Sequence, residues 1–152
     1  MSLSPHVSLS LVLGLAATVE DLWRRRISNW IPATALVGGV AVNWAEQGWW
    51  GGLMALAGAG GGFCVFLVFY FLGGMGGGDV KLMAGFGAIL GPSLVLWAAL
   101  WTAAAGGLFA LTALAFYRVR RWWLKRPPDR REDSIPYAPA IAVGAWLALL
   151  SR

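Results

Sequence analysis

Residues 80–117, VKLMAGFGAILGPSLVLWAALWTAAAGGLFALTALAFY, hold a single charged side chain, Lys81, in 38 positions. One continuous helix of that length would extend about 57 Å, nearly twice the roughly 30 Å hydrocarbon core of a bilayer. The stretch must therefore turn back on itself. Gly91-Pro92 is the natural break, because proline cannot continue the helical hydrogen-bond ladder and drives the preceding residue out of helical geometry. This leaves a short piece, Val80 to Leu90, of about 16 Å, and a full span from about Ser93 to Tyr117. The short piece cannot cross a bilayer unaided, so it must rest against other helices or a water-accessible cavity.

The flanking segments read as further spans. From about Val7 to Trp23 the chain is apolar, with no Lys or Arg before it and Arg24-Arg25-Arg26 directly after. That order is the reverse of a cleavable signal peptide and predicts a retained helix with its N-terminus outside. A second span is expected from about Trp30 to Trp44. A short outer turn, Glu46 to Gly52, follows, with Trp49 and Trp50 as interfacial anchors, then a third span from about Gly51 to Leu72. Gly58, Gly60, Gly61 and Gly62 give that third span a small-residue face suited to close helix packing. After Tyr117, the polar stretch Arg118 to Ser134 carries seven of the twelve basic residues, and Ile135 to Leu150 is the last span. The expected fold is all-α and polytopic: about six crossings in a single domain over residues 1–152, with one short or broken helix after the glycine loop. Eleven of the twelve Lys and Arg residues then share one face and only Arg152 lies opposite, as the positive-inside rule requires of a cytoplasmic face.

Composition agrees. The chain is 59% apolar and 12% charged, with ten tryptophans, whereas soluble domains are about one quarter charged. A net charge of +5 does not point to nucleic acid, because the basic residues cluster in loops beside apolar segments. Cys64, the single cysteine, leaves no internal disulfide and no multi-cysteine metal cage.

Acidic residues are few, seven in all, and one stands in a conspicuous place: Gly73-Gly74-Met75-Gly76-Gly77-Gly78-Asp79. An acid at the membrane boundary is a functional candidate. The topology puts Glu20 and Asp21 at the same depth and on the same face. Two carboxylates that meet there can hydrolyse a peptide without a metal, one activating water and the other protonating the carbonyl oxygen. Close approach compels them to share a proton, because two like charges about 3 Å apart cannot both ionise. Gly76 to Gly78 would let the chain turn sharply and let a substrate backbone approach. Structural readings stand beside this one. Asp79 could be an ordinary helix N-cap, Asp21 could be neutralised by Arg24 to Arg26, and spacing does not choose between Asp21 and Glu20. Lys81 could snorkel to the interface, and His6 reads as incidental. A phosphate-binding loop is excluded, because Asp79-Val80-Lys81 replaces the required Gly-Lys-Ser/Thr.

These segments resemble a known family. Gly76-Gly77-Gly78-Asp79 fits the Gly-x-Gly-Asp signature of intramembrane aspartic proteases, and Gly78-Asp79-Val80-Lys81-Leu82 is similar to its form in type IV prepilin peptidases. Asp21 followed by Arg24-Arg25-Arg26-Ile27-Ser28-Asn29 resembles that family's first catalytic segment, an Asp, basic residues and Ile-Pro-Asn, with Ser28 in place of the proline. Ile135-Pro136-Tyr137-Ala138-Pro139-Ala140-Ile141-Ala142 resembles its last-helix segment.

The resemblance implies an endopeptidase of the inner membrane that removes the basic leader of pilin-like precursors at the cytoplasmic face, just before their apolar N-terminal helix. It implies Asp21 and Asp79 as the catalytic pair, favouring Asp21 over Glu20. Gly76, Gly78 and Lys81 would support the motif; Arg25, Asn29, Pro136 and Pro139 would contact substrate or hold structure. Metal and cofactor are not expected, and the partners are the precursor and the lipid bilayer, not nucleic acid. Long members carry a cysteine-paired insert and methylate the product. The three-residue basic turn here resembles instead the short form associated with Flp-type tight-adherence pili, with archaeal preflagellin peptidases as a related possibility, and methyltransferase activity is not expected. Two other classes stay open: an ion- or proton-coupled transporter, suggested by the broken segment, and a non-catalytic component of pilus assembly.

Overall fold

The computed structural model describes residues 4–73, 75–124 and 137–151. They form four α-helices: α1 (Pro5–Arg24), α2 (Trp30–Phe71), α3 (Gly77–Leu124) and α4 (Ala138–Leu150). Two of these are interrupted once each. Gly48 in α2 has φ 65°, ψ −153°, and Gly91 in α3 has φ 75°, ψ 174°. Both sit in a backbone region open almost solely to glycine.

Each interruption reverses the chain. Beyond Gly48, Gly51 lies against the carbonyl of Asn43 and Gly52 against the Trp44 ring. Beyond Gly91, Val95 joins Met83 against the same glycine, Gly62; a straight helix would hold two residues twelve apart at about 18 Å. The four helices therefore comprise six helical pieces. The expected break at Gly91-Pro92 is present. The outer turn expected over Glu46 to Gly52 is present and shorter still: those residues are helical on both sides of Gly48, which alone makes the reversal. A glycine with positive φ can do this without polar loop residues.

At the α3 break, Pro92 leaves the Ala88 carbonyl without its helical donor. Asn43 Nδ2 supplies one at 3.0 Å, and the neighbouring Ile89 carbonyl accepts from His6 Nδ1 at 3.0 Å. His6 Nε2 also meets Glu46 Oε2 at 2.9 Å. His6 is thus buried and ties α1 to both reversals, rather than incidental as the sequence reading has it.

Small residues set the packing. Gly58 and Gly87 bring α2 and α3 into backbone contact, and Gly144 brings α4 onto α3 at Ala98 and Thr102. Helix α4 runs antiparallel to α1, with Trp146 Nε1 donating to the Ser10 carbonyl at 3.2 Å and the Trp146 ring covering Gly14. The core contains Ala17, Ile31, Leu82, Met83, Phe86 and Ile141, all fully enclosed. Outside lie Val12, Leu15, Leu22, Trp23, Leu96, Trp97, Leu100 and many other large apolar side chains. Glycine and alanine inside with bulky apolar groups outside is the arrangement lipid solvates and water does not. Trp30–Phe71 and Gly77–Leu108 are long and apolar enough to cross a bilayer.

Candidate active site

Asp21 stands in the last turn of α1 and Asp79 in the first turn of α3. Both are buried, at 7% and 8% exposure, and they are close enough for the charge of one to act on the other. Each carboxylate takes a backbone N–H. Asp79 Oδ2 accepts from Gly76 at 3.0 Å, and Asp21 Oδ2 accepts from Ala138 at 3.0 Å.

The Asp79 bond is a capping contact, but not the expected N-cap. Gly77 is the first helical residue, so Asp79 is the third, reaching back to the residue before the helix. The Asp21 bond crosses 117 positions to the first residue of α4. Asp21 opposes the dipole of its own helix yet sits at the positive end of another, which favours its charge. Both acids thus lie at helix N-termini, on polar donors inside an otherwise apolar protein.

The turn between α1 and α2 sets the height of Asp21. Arg25 closes α1 in the left-handed conformation, φ 51°, with its N–H on the Asp21 carbonyl at 2.8 Å. Glu20 is engaged elsewhere: its carboxylate accepts both the N–H and the hydroxyl of Ser28, with Arg24 at 3.8 Å. The N–H that Ser28 gives to Glu20 is one that a proline there would lack. Asn29 holds the cap position of α2 without a capping bond and accepts instead from Lys81 Nζ at 3.0 Å. A Cβ on Gly78 would stand 3.3 Å from Ile27 Cβ. Gly78 against Ile27 and Lys81 against Asn29 form one seam that joins the α1–α2 turn to the start of α3.

Among the described residues of the glycine loop Gly73 has positive φ, and Gly77 and Gly78 are already helical. Pro139 occupies the first turn of α4, where proline is favoured. Pro136 and the stretch 125–134 lie outside the described residues. Sequence reasoning misses the Ala138 N–H, although Pro139 marks a helix start beside it. Among the described residues no three His, Cys, Asp or Glu side chains group as a metal site needs.

Residues 8–111 match the type IV leader peptidase family. The chain is 36% identical over 104 residues to the prepilin leader peptidase/N-methyltransferase of Bacillus subtilis (strain 168). That alignment covers 67% of this chain and 37% of the relative, so the chain spans little more than a third of the curated protein it matches. No solved structure matches. Because the family match takes in more than half of the chain, with most of α1, all of α2 and both acids inside it, this protein belongs to the type IV leader peptidase family.

Proposed function

We propose that this protein is an aspartic-type leader peptidase that cleaves the basic leader from pilin-like precursors, with Asp21 and Asp79 as its catalytic pair. The observation that carries the reading is two buried carboxylates from different helices, each accepting a backbone N–H at a helix N-terminus. One carboxylate takes a proton from water as the water oxygen adds to the peptide carbonyl carbon. Its protonated partner gives a proton to the carbonyl oxygen, and collapse of the gem-diol returns a proton to the departing nitrogen. The proton between the acids belongs to the pair.

On this reading the chain crosses the inner membrane six times with its N-terminus outside, an orientation supported by the eleven basic residues that would share the face of the two acids. A precursor with an apolar N-terminal helix would lie in the lipid beside the bundle and present its leader there. The three-residue basic turn Arg24 to Arg26, which leaves no room there for a cysteine-paired insert, supports a short-form peptidase without methyltransferase activity. The Gly91-Pro92 break lends the transporter reading no support, because Asn43 and His6 occupy its freed carbonyls.

Co-expression with a pilin-like precursor tests the reading. Asp21→Asn and Asp79→Asn should each lower cleavage by about 10³-fold or more with protein level unchanged. Normal cleavage by either variant refutes the pair.

A further inference from the structure

A cavity of about 190 Å³ lies between the end of α2, the second piece of α3 and the start of α4. Phe66, Phe69, Met75 and Tyr137 form its bulky walls, while α3 contributes Ala103 and Gly107 from one face, four residues apart. Thr102 also borders it, but its buried hydroxyl lies against Gly144, so the cavity is apolar.

Its position relative to the two acids follows from the chain itself. Met75 immediately precedes Gly76, whose N–H seats Asp79; Tyr137 immediately precedes Ala138, whose N–H seats Asp21. Two walls of the cavity are therefore one residue from the two amides that position the carboxylates. A peptide bond held between the acids would carry its neighbouring side chains a few ångströms away, since an extended chain advances about 3.3 Å per residue. A basic leader side chain would lose its hydration in this cavity with no acid among its described lining residues to meet it, whereas a large apolar side chain gains by filling it. Aromatic rings and the Met75 thioether suit an aromatic or branched aliphatic group.

We propose that this cavity is a specificity subsite that receives the large apolar side chain of the stem residue next to the cleaved bond, with Ala103 and Gly107 setting its size. The proposal rests on the peptidase reading. Gly107 is a suitable probe because a Cβ there meets nothing within 4 Å, so a larger side chain does not collide with the fold.

The test uses the full chain in vesicles and two precursors that differ only in that stem residue, Phe or Ala. Wild type should cleave the Phe precursor with kcat/KM about tenfold higher. Ala103→Leu and Gly107→Leu should each lower Phe cleavage about tenfold and leave Ala cleavage within about twofold, so the Ala precursor also reports that the variant is folded. Equal loss for both precursors, or no loss for either, overturns the subsite while leaving the peptidase reading intact. An effect that follows the acyl chains of the vesicle and not the precursor's side chain assigns the cavity to lipid and overturns it as well. Cleavage of neither precursor by wild type removes the peptidase reading and the subsite with it.

Discussion

Four glycines crowd one stretch of α2, and the structure separates them sharply enough to give opposite outcomes for the same substitution. An added Cβ at Gly58 overlaps the Gly87 carbonyl oxygen and lies 2.7 and 2.8 Å from the carbonyl carbon and Cα of Gly91. All three are backbone atoms, so no side chain can swing aside. Helices α2 and α3 must part by on the order of 1 Å, enough to forfeit a quarter to a half of the dispersion well for atom pairs along the seam. Overpacking of this kind costs about 1–3 kcal/mol, and the collision with rigid backbone puts Gly58→Ala at the upper end. At Gly60 an added Cβ meets nothing within 4 Å. Gly60→Ala should therefore show only the gain in helix propensity, up to about 1 kcal/mol. Gly91 separates a third cause: its Cβ also has open space, but its φ of 75° belongs to glycine, so Gly91→Ala should cost about 1–3 kcal/mol from backbone strain alone. The assay is reversible unfolding in mixed micelles followed by circular dichroism, with the three variants side by side. Gly58→Ala and Gly60→Ala should differ by about 3 kcal/mol, roughly a hundredfold in the unfolding equilibrium. Equal stabilities would refute the backbone contact between α2 and α3 and, with it, the seating of the short piece of α3 that carries Asp79.

Two further outcomes follow from the polar contacts. Glu20→Gln should keep precursor cleavage within about twofold while the adjacent Asp21→Asn abolishes it, because Glu20 is committed to Ser28; equal losses at both positions would mean that the pair is misassigned. Asn43→Leu and His6→Phe each leave a carbonyl at the α3 break unpaired and should lower stability by about 1–3 kcal/mol with cleavage retained in the folded fraction, as read by melting and by activity per folded molecule.

What could be read from sequence was whatever length and local chemistry decide. The break at Gly91-Pro92 follows from 38 nearly uncharged residues and a bilayer of fixed thickness, and it is present in α3. The turn expected over Glu46 to Gly52 is there, but its reduction to Gly48 alone is not legible, because one positive-φ glycine reverses the chain without the polar residues that usually mark a turn. Gly58, Gly60, Gly61 and Gly62 announce a packing face, but which of them touches backbone depends on the rotation of α2 against α3, and a pattern of small residues does not encode that. The structural role of His6 is not legible in sequence, because its partners, Glu46 and the Ile89 carbonyl, are 40 and 83 positions away. Glu20 and Asp21 are neighbours in sequence yet point to different tasks, since consecutive residues on a helix are separated by about 100°. Only the folded turn shows which of them Ser28 occupies.

The same limit explains α4's part in the site. Family similarity covers residues 8–111 and so includes both acids, yet the donor that seats Asp21 is the Ala138 N–H, beyond that range. A backbone amide has no sequence signature except the helix start it belongs to, and here Pro139 in the first turn supplies one. An acid at the C-terminal end of α1 would lose about 0.3–1 kcal/mol to its own dipole, which the N-terminus of α4 offsets by a similar amount. Asp21 is therefore held between two helices of opposite polarity, and the amide it accepts from is placed by the antiparallel packing of α4 on α1 through Gly14 and Trp146. If Asp21 and Asp79 are the reacting pair, then α4, which contributes no acid to it, supplies the amide that fixes one of the two carboxylates.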